Sequence, residues 1–61
     1  MPDDEDRRKL RHDLRSPLVV IGGFAQLLSG EGEIAEDTRR DYASRIHRAA
    51  VELEKLIDER L

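Results

Sequence analysis

Seven consecutive residues near the start of the chain, His12-Asp13-Leu14-Arg15-Ser16-Pro17-Leu18, hold most of the side chains that could take part in a reaction. A histidine can attack as a nucleophile or move a proton near neutral pH. A lone exposed histidine on a helix is more often an ordinary surface residue, and Asp13 by itself would read as a solvated carboxylate. Ser16 stands one helical turn beyond His12, so its hydroxyl is in reach of a group carried by that ring or of a water beside it; a serine merely tolerated before proline is the open alternative. Arg15 offers a guanidinium fork to an anionic oxygen or a docked domain, or is simply solvated. His47 lies between Arg45 and Arg48 on a polar face with no second ligand at metal spacing, so it reads as surface and no metal site is expected.

The element that must carry the seven residues is a helix. Apolar residues at Leu10, Leu14, Leu18, Ile21, Ala25 and Leu28 recur at spacings of three and four, which predicts a helix over roughly residues 4 to 29. With Leu14 and Ile21 at heptad position a, and Leu10 and Pro17 at d, His12 and Val19 fall at f and face solvent. Acidic Asp3, Asp4, Glu5 and Asp6 suit the helix start, and Asp3/Arg7, Asp4/Arg8 and Glu5/Lys9 could form i,i+4 pairs. Pro17 lacks an N–H and clashes with the carbonyl at position 13, which predicts a bend or a loosened turn beside His12.

Two glycines in Ser29-Gly30-Glu31-Gly32-Glu33 break the pattern, one of them suited to a left-handed helix cap, and a loop over about 30 to 35 follows. A second stripe at Tyr42, Ile46, Ala49, Ala50, Leu53, Leu56 and Ile57 predicts a helix over about 36 to 60, starting at Glu36-Asp37 or at Thr38 with Asp41 three residues on. Leu10, Leu14, Ile21, Leu28, Ile46, Leu53 and Leu56 are the expected core. The fold class is thus all-α, a single domain over residues 1–61 in which two helices of about 24 residues, each roughly 36 Å long, pack as an antiparallel hairpin. A lone hairpin leaves part of both stripes wet, and the chain has no cysteine for a disulfide or thiolate metal site. A homodimer forming a four-helix bundle is therefore expected.

The composition excludes several functions. With 41% charged residues, 3% aromatic residues and a net charge of −3, the chain has neither a basic stripe nor stacking platforms, so no nucleic-acid binding is expected. The nearly uncharged run from Ser16 to Gly30 is too short to span a bilayer, so no membrane contact by this segment is expected and the chain reads as soluble. Gly22-Gly23 sits inside a helical pattern and lacks the strand context of a phosphate-binding loop. The outward positions Val19, Gly22, Gly23 and Gln26 make a small, apolar helix surface, although glycine inside a helix costs roughly 1 kcal/mol against alanine. Something should lie close against it, either a neighbouring helix or a docked partner.

The string His12 to Leu18 resembles the phosphoacceptor motif of bacterial two-component sensor histidine kinases, H-[E/D]-L-R-[T/S/N]-P-L. The likeness continues through Val20-Ile21-Gly22-Gly23-Phe24-Ala25-Gln26-Leu27-Leu28 and more loosely into Leu53-Glu54-Lys55-Leu56-Ile57-Asp58, nearly the whole chain. It implies the dimerisation and histidine-phosphotransfer domain of such a kinase, with His12 the nucleophile that takes the γ-phosphoryl group of ATP and passes it to a response-regulator aspartate. Asp13 would accept the other ring proton. Ser16 holds the place where the family uses Thr or Asn to orient water in dephosphorylation, keeping the hydroxyl but losing the methyl or amide that fixes its rotamer. At Pro17 the family's helix bends and continues, which could let the bundle shift between kinase and phosphatase geometries. Val19, Gly22, Gly23 and Gln26, with Arg39, Arg40 and Ala43 of the second helix and Arg15, would meet docked domains, the receiver domain foremost.

The same resemblance places ATP and Mg in a separate catalytic domain. The chain has no nucleotide-binding fold, so it binds no cofactor of its own and would not phosphorylate itself unaided. Its setting would be cytoplasmic, any membrane anchor of the parent lying elsewhere. The end at Leu61, on a helical pattern not yet capped, favours a fragment of a longer kinase. A stand-alone phosphotransfer protein is the nearer alternative, although the monomeric family of that kind carries lysine and glycine after the histidine. A purely structural dimerisation bundle is the other.

Overall fold

The three-and-four spacing of apolar residues builds two long helices, α1 (Pro2–Ser29) and α2 (Glu36–Arg60), in a computed structural model that describes residues 2–30 and 32–61. Met1 and Glu31, the latter inside the expected 30–35 loop, lie outside the described residues. α1 begins two residues before its expected start, with Asp3, Asp4 and Glu5 in a first turn where negative charge meets the free N–H groups. α2 begins at Glu36, which decides between its two candidate starts; Asp37 Oδ1 accepts the Thr38 N–H at 2.9 Å, and Ala35 O accepts the Arg39 N–H at 2.9 Å.

In the last turn of α1 the Ser29 hydroxyl folds back onto the helix, donating to Ala25 O at 3.0 Å and Gln26 O at 3.3 Å. The positive φ falls at Gly32, at 113°, rather than at Gly30 directly after the helix. Among the described residues the i,i+4 ion pairs that close are Arg40–Glu36 at 3.7 Å and Arg45–Asp41 at 3.0 Å, both in α2. The pairs expected at the start of α1 are not among them: such exposed pairs gain little and cost side-chain entropy.

The helices run antiparallel. Near the loop Phe24 meets Tyr42 with ring centroids 5.1 Å apart, and Arg45 stacks over Phe24 at 5.7 Å. At the far end Arg60 reaches back to Asp13. Between them runs a seam of buried or half-buried side chains, Leu10, Leu14, Pro17, Ile21, Phe24 and Leu28 against Ile34, Tyr42, Ile46, Ala49, Leu53 and Leu56. The expected core residues all lie on it. Leu18 and Ala25, expected on the same stripe, are exposed, because a stripe this wide spans the seam and the flank beside it.

Only Ala49 and Pro17 are buried among the described residues, and Pro17 fully so. The hairpin leaves 5320 Å² accessible, where a compact 7.0 kDa monomer would expose about 4,000 Å². The excess, about 1,300 Å², is of the size each partner hides in an obligate dimer.

Candidate functional site

The helical register sets His12 on the outer surface of α1, its side chain 84% exposed, and Asp13 beside the seam at 30%. Asp13 Oδ1 lies 3.5 Å from His12 Nδ1, a charge contact at the outer limit of hydrogen-bond distance. Asp13 Oδ2 accepts a hydrogen bond from Arg60 Nη1. The Arg60 hydrogen bond, against a smaller opposing effect of desolvation and with help from His12, holds the Asp13 carboxyl below its ordinary value of 3.8. The carboxylate therefore stays ionised, one oxygen on arginine and the other facing the ring. Nε2, away from the carboxylate, is left as the nitrogen for a reacting partner.

Ser16 is exposed one turn beyond His12, and Pro17 follows with less than 2% of its surface accessible. α1 continues through Pro17 without a break. The ring thus fills the seam while the missing N–H deprives the Asp13 carbonyl of its helical donor. His47 is exposed, and among the described residues no group of three or more His, Cys, Asp or Glu could hold a metal ion. No helix of the described residues is long and apolar enough to cross a membrane.

Two exposed apolar flanks border the seam. One carries Val19, Val20, Gly23, Phe24 and Leu27 around a shallow hollow, continued across the helices by Arg45, Arg48 and Glu52 of α2. Val19 and Gly23 are thus brought together on the His12 side. Val20, Phe24, Leu27, Arg45 and Arg48 were not singled out in the sequence, although Phe24 and Arg45 belong to the same seam-edge register. On the other flank Leu10, Leu14 and Leu18 form a ridge beside Arg7, Arg11 and Arg15. Arg15 therefore borders this second flank. Gly22 and Gln26 are exposed nearer the back of α1. Arg39, Arg40 and Ala43 lie about 120°, 140° and 160° around α2 from Arg45 at about 100° per residue, so the structure does not join them to Val19 and Gly23.

Residues 8–61 match the family model of the His Kinase A (phospho-acceptor) domain. The chain belongs to that family. It is also 39% identical over 49 residues to an uncharacterized sensor-like histidine kinase of Rhizobium meliloti (strain 1021), a match covering 77% of this chain and 9% of that protein. No solved structure matches the chain. HisKA domains dimerise into four-helix bundles, which accounts for the surface that one hairpin leaves exposed. As a HisKA domain the chain is a phosphoacceptor and dimerisation unit of a histidine kinase, and the motif that carries the resemblance surrounds its exposed His12.

Proposed function

We propose that His12 is the phosphorylated residue, that a separate catalytic domain brings it ATP together with Mg, and that a receiver-domain aspartate of a response regulator relieves it of the phosphoryl group. The observation that carries this reading is the ring itself: 84% exposed, inside the seven-residue motif of a HisKA domain, with a carboxylate 3.5 Å from Nδ1. Asp13 favours the Nδ1-protonated ring, so the Nε2 lone pair attacks the γ-phosphorus. An N–P bond forms as the P–O bond to ADP breaks, ADP leaves with that electron pair, and the Nδ1 proton passes toward the Asp13 carboxylate as the ring takes on positive charge. In the second step a carboxylate oxygen of the receiver aspartate attacks phosphorus, the N–P bond breaks, and its electrons return to the ring. Ser16 stands where its hydroxyl can orient a water for dephosphorylation. The setting is cytoplasmic, where ATP and receiver domains are found.

In the homodimer the flank of Leu14, Leu18 and Ala25, with Ala50 and Ile57 on the corresponding side of α2, packs on the second copy. The flank of Val19, Val20, Gly23, Phe24 and Leu27 remains outside and receives the receiver domain.

The test is labelling with radioactive ATP in the presence of a histidine-kinase ATP-binding domain, comparing wild type with His12→Gln. Acid-labile, alkali-stable label in the wild type and none in His12→Gln is expected. Absence of label with several competent donor domains, while the dimer stays folded, would instead favour a purely structural bundle.

A further inference from the structure

Arg60 occupies a place where an apolar residue belongs. Tyr42, Ile46, Ala49, Leu53, Leu56 and Arg60 follow one another at alternating spacings of four and three, the series that fills the seam on the α2 side. Arginine at its end lies beside Leu10, in a hollow also lined by Asp6 and Arg7, and its side chain is only 30% exposed. Its guanidinium donates to Asp13 across 47 residues of sequence.

Stability gives no reason for the pair. An ion pair open to solvent contributes little, and an apolar residue at this place would simply extend the seam. What distinguishes Arg60 is the second oxygen of its partner. Asp13 Oδ2 is engaged by Arg60, and Asp13 Oδ1 is the atom 3.5 Å from His12 Nδ1. Arg60, Asp13 and His12 thus form a relay running from the last turn of α2 to the reactive ring. That last turn is itself closed by the Leu61 N–H on Ile57 O at 2.8 Å.

We infer that Arg60 is a positioning residue for phosphotransfer: by holding one oxygen of Asp13 it aims the other at His12 Nδ1, which keeps Nδ1 protonated and Nε2 free to attack. The inference rests on the reading of His12 as phosphoacceptor.

The experiment compares wild type with Arg60→Met, Arg60→Lys, Asp13→Asn and the Asp13→Asn/Arg60→Met pair, each as the dimer with a histidine-kinase ATP-binding domain and ATP supplied. Two quantities are read: the rate of His12 phosphorylation, and the His12 tautomer by nitrogen-15 NMR. Arg60→Met keeps the stem and the seam, so the dimer stays folded. Its phosphorylation slows about tenfold, a fraction of the ~100-fold or more that a placed proton-handling group contributes. The Nδ1-protonated tautomer falls, Arg60→Lys restores part of both, and the double variant is no slower than Asp13→Asn alone.

A wild-type rate and an unchanged tautomer in Arg60→Met would overturn the inference. So would a loss in Arg60→Met that adds in full to that of Asp13→Asn. If instead wild type takes no label, or His12→Gln keeps it, the reading of His12 is what falls. The tautomer comparison needs no phosphorylation and still decides whether Arg60 orients the ring.

Discussion

The two flanks of the hairpin expose apolar side chains to similar degrees, yet they differ in what surrounds them. Leu18 is 52% exposed and Leu27 53%. Beside Leu18 the apolar ridge of Leu10 and Leu14 is edged by Arg7, Arg11 and Arg15, and by register exposed Ala50 and Ile57 stand on the same side of α2. Beside Leu27 the apolar surface meets Arg45, Arg48 and Glu52, and on α1 it contains a glycine. Both flanks are edged by charge, but one has exposed apolar side chains on both helices, which suits a permanent partner, and the other has them on α1 alone, which suits one that binds and leaves. Exposure alone would not separate the two; the side chains that α2 adds to each do.

The largest effect is expected where the permanent surface is broken. Leu18→Glu would place a charge and its hydration between two copies in the bundle, and a HisKA hairpin with so little buried surface of its own has nothing else to fold against. The dimer dissociation constant should rise at least about 100-fold, close to 3 kcal/mol, with loss of helix as the protein dissociates. Sedimentation and circular dichroism at matched concentrations measure both. A Leu18→Glu protein that stays dimeric with an unaltered melt would remove this flank from the dimer interface.

A smaller effect is expected on the opposite flank. Leu27→Asp, one turn beyond Gly23, should leave dimerisation and labelling of His12 unchanged while slowing transfer to the receiver domain about tenfold, the equivalent of roughly 1.4 kcal/mol. Rapid-quench transfer from the phosphorylated protein to its regulator is the measurement. Equal transfer rates would mean that the receiver docks elsewhere; loss of the dimer would mean that the flanks have been exchanged.

How much of this was legible in the sequence follows from how far apart the interacting residues lie. Spacings of three and four place Leu10, Leu14, Ile21 and Leu28 on one face of α1 and give both helices and the turn between them. His12 is legible twice, by its outward register and by its motif. The same periodicity merges Leu18 and Ala25 with the seam, because a wide stripe does not say which edge meets the other helix and which meets a second copy. Phe24 packs on Tyr42 at 5.1 Å but stands next to Gly22 and Gly23, which hide it from an apolar pattern. On α2 the residues facing Val20 could be chosen only after the rotation of one helix against the other was known. Hence Arg45 and Arg48, which line the hollow with Val20 and Phe24, were not singled out beside Arg39, Arg40 and Ala43. The tie between Asp13 and Arg60 spans 47 residues and leaves no local trace at all.

The finest division between the flanks runs through two adjacent glycines. An alanine Cβ at Gly22 or at Gly23 would meet nothing within 4 Å, so packing within the hairpin requires neither glycine. Each alanine substitution should therefore raise stability by about 0.5–1 kcal/mol through the helix preference alone. Gly23 lines the hollow with Val19, Val20, Phe24 and Leu27, whereas Gly22 lies about 100° further round α1. Gly23→Ala should slow receiver transfer by a few fold while the protein melts higher; Gly22→Ala should melt higher and transfer at the wild-type rate. Thermal melts and transfer rates of the two variants, measured side by side, separate helix propensity from close approach. If both transfer at the wild-type rate, the missing side chain at Gly23 serves no docked partner, and the outer flank is held to its receiver by Leu27 and the neighbouring arginines instead.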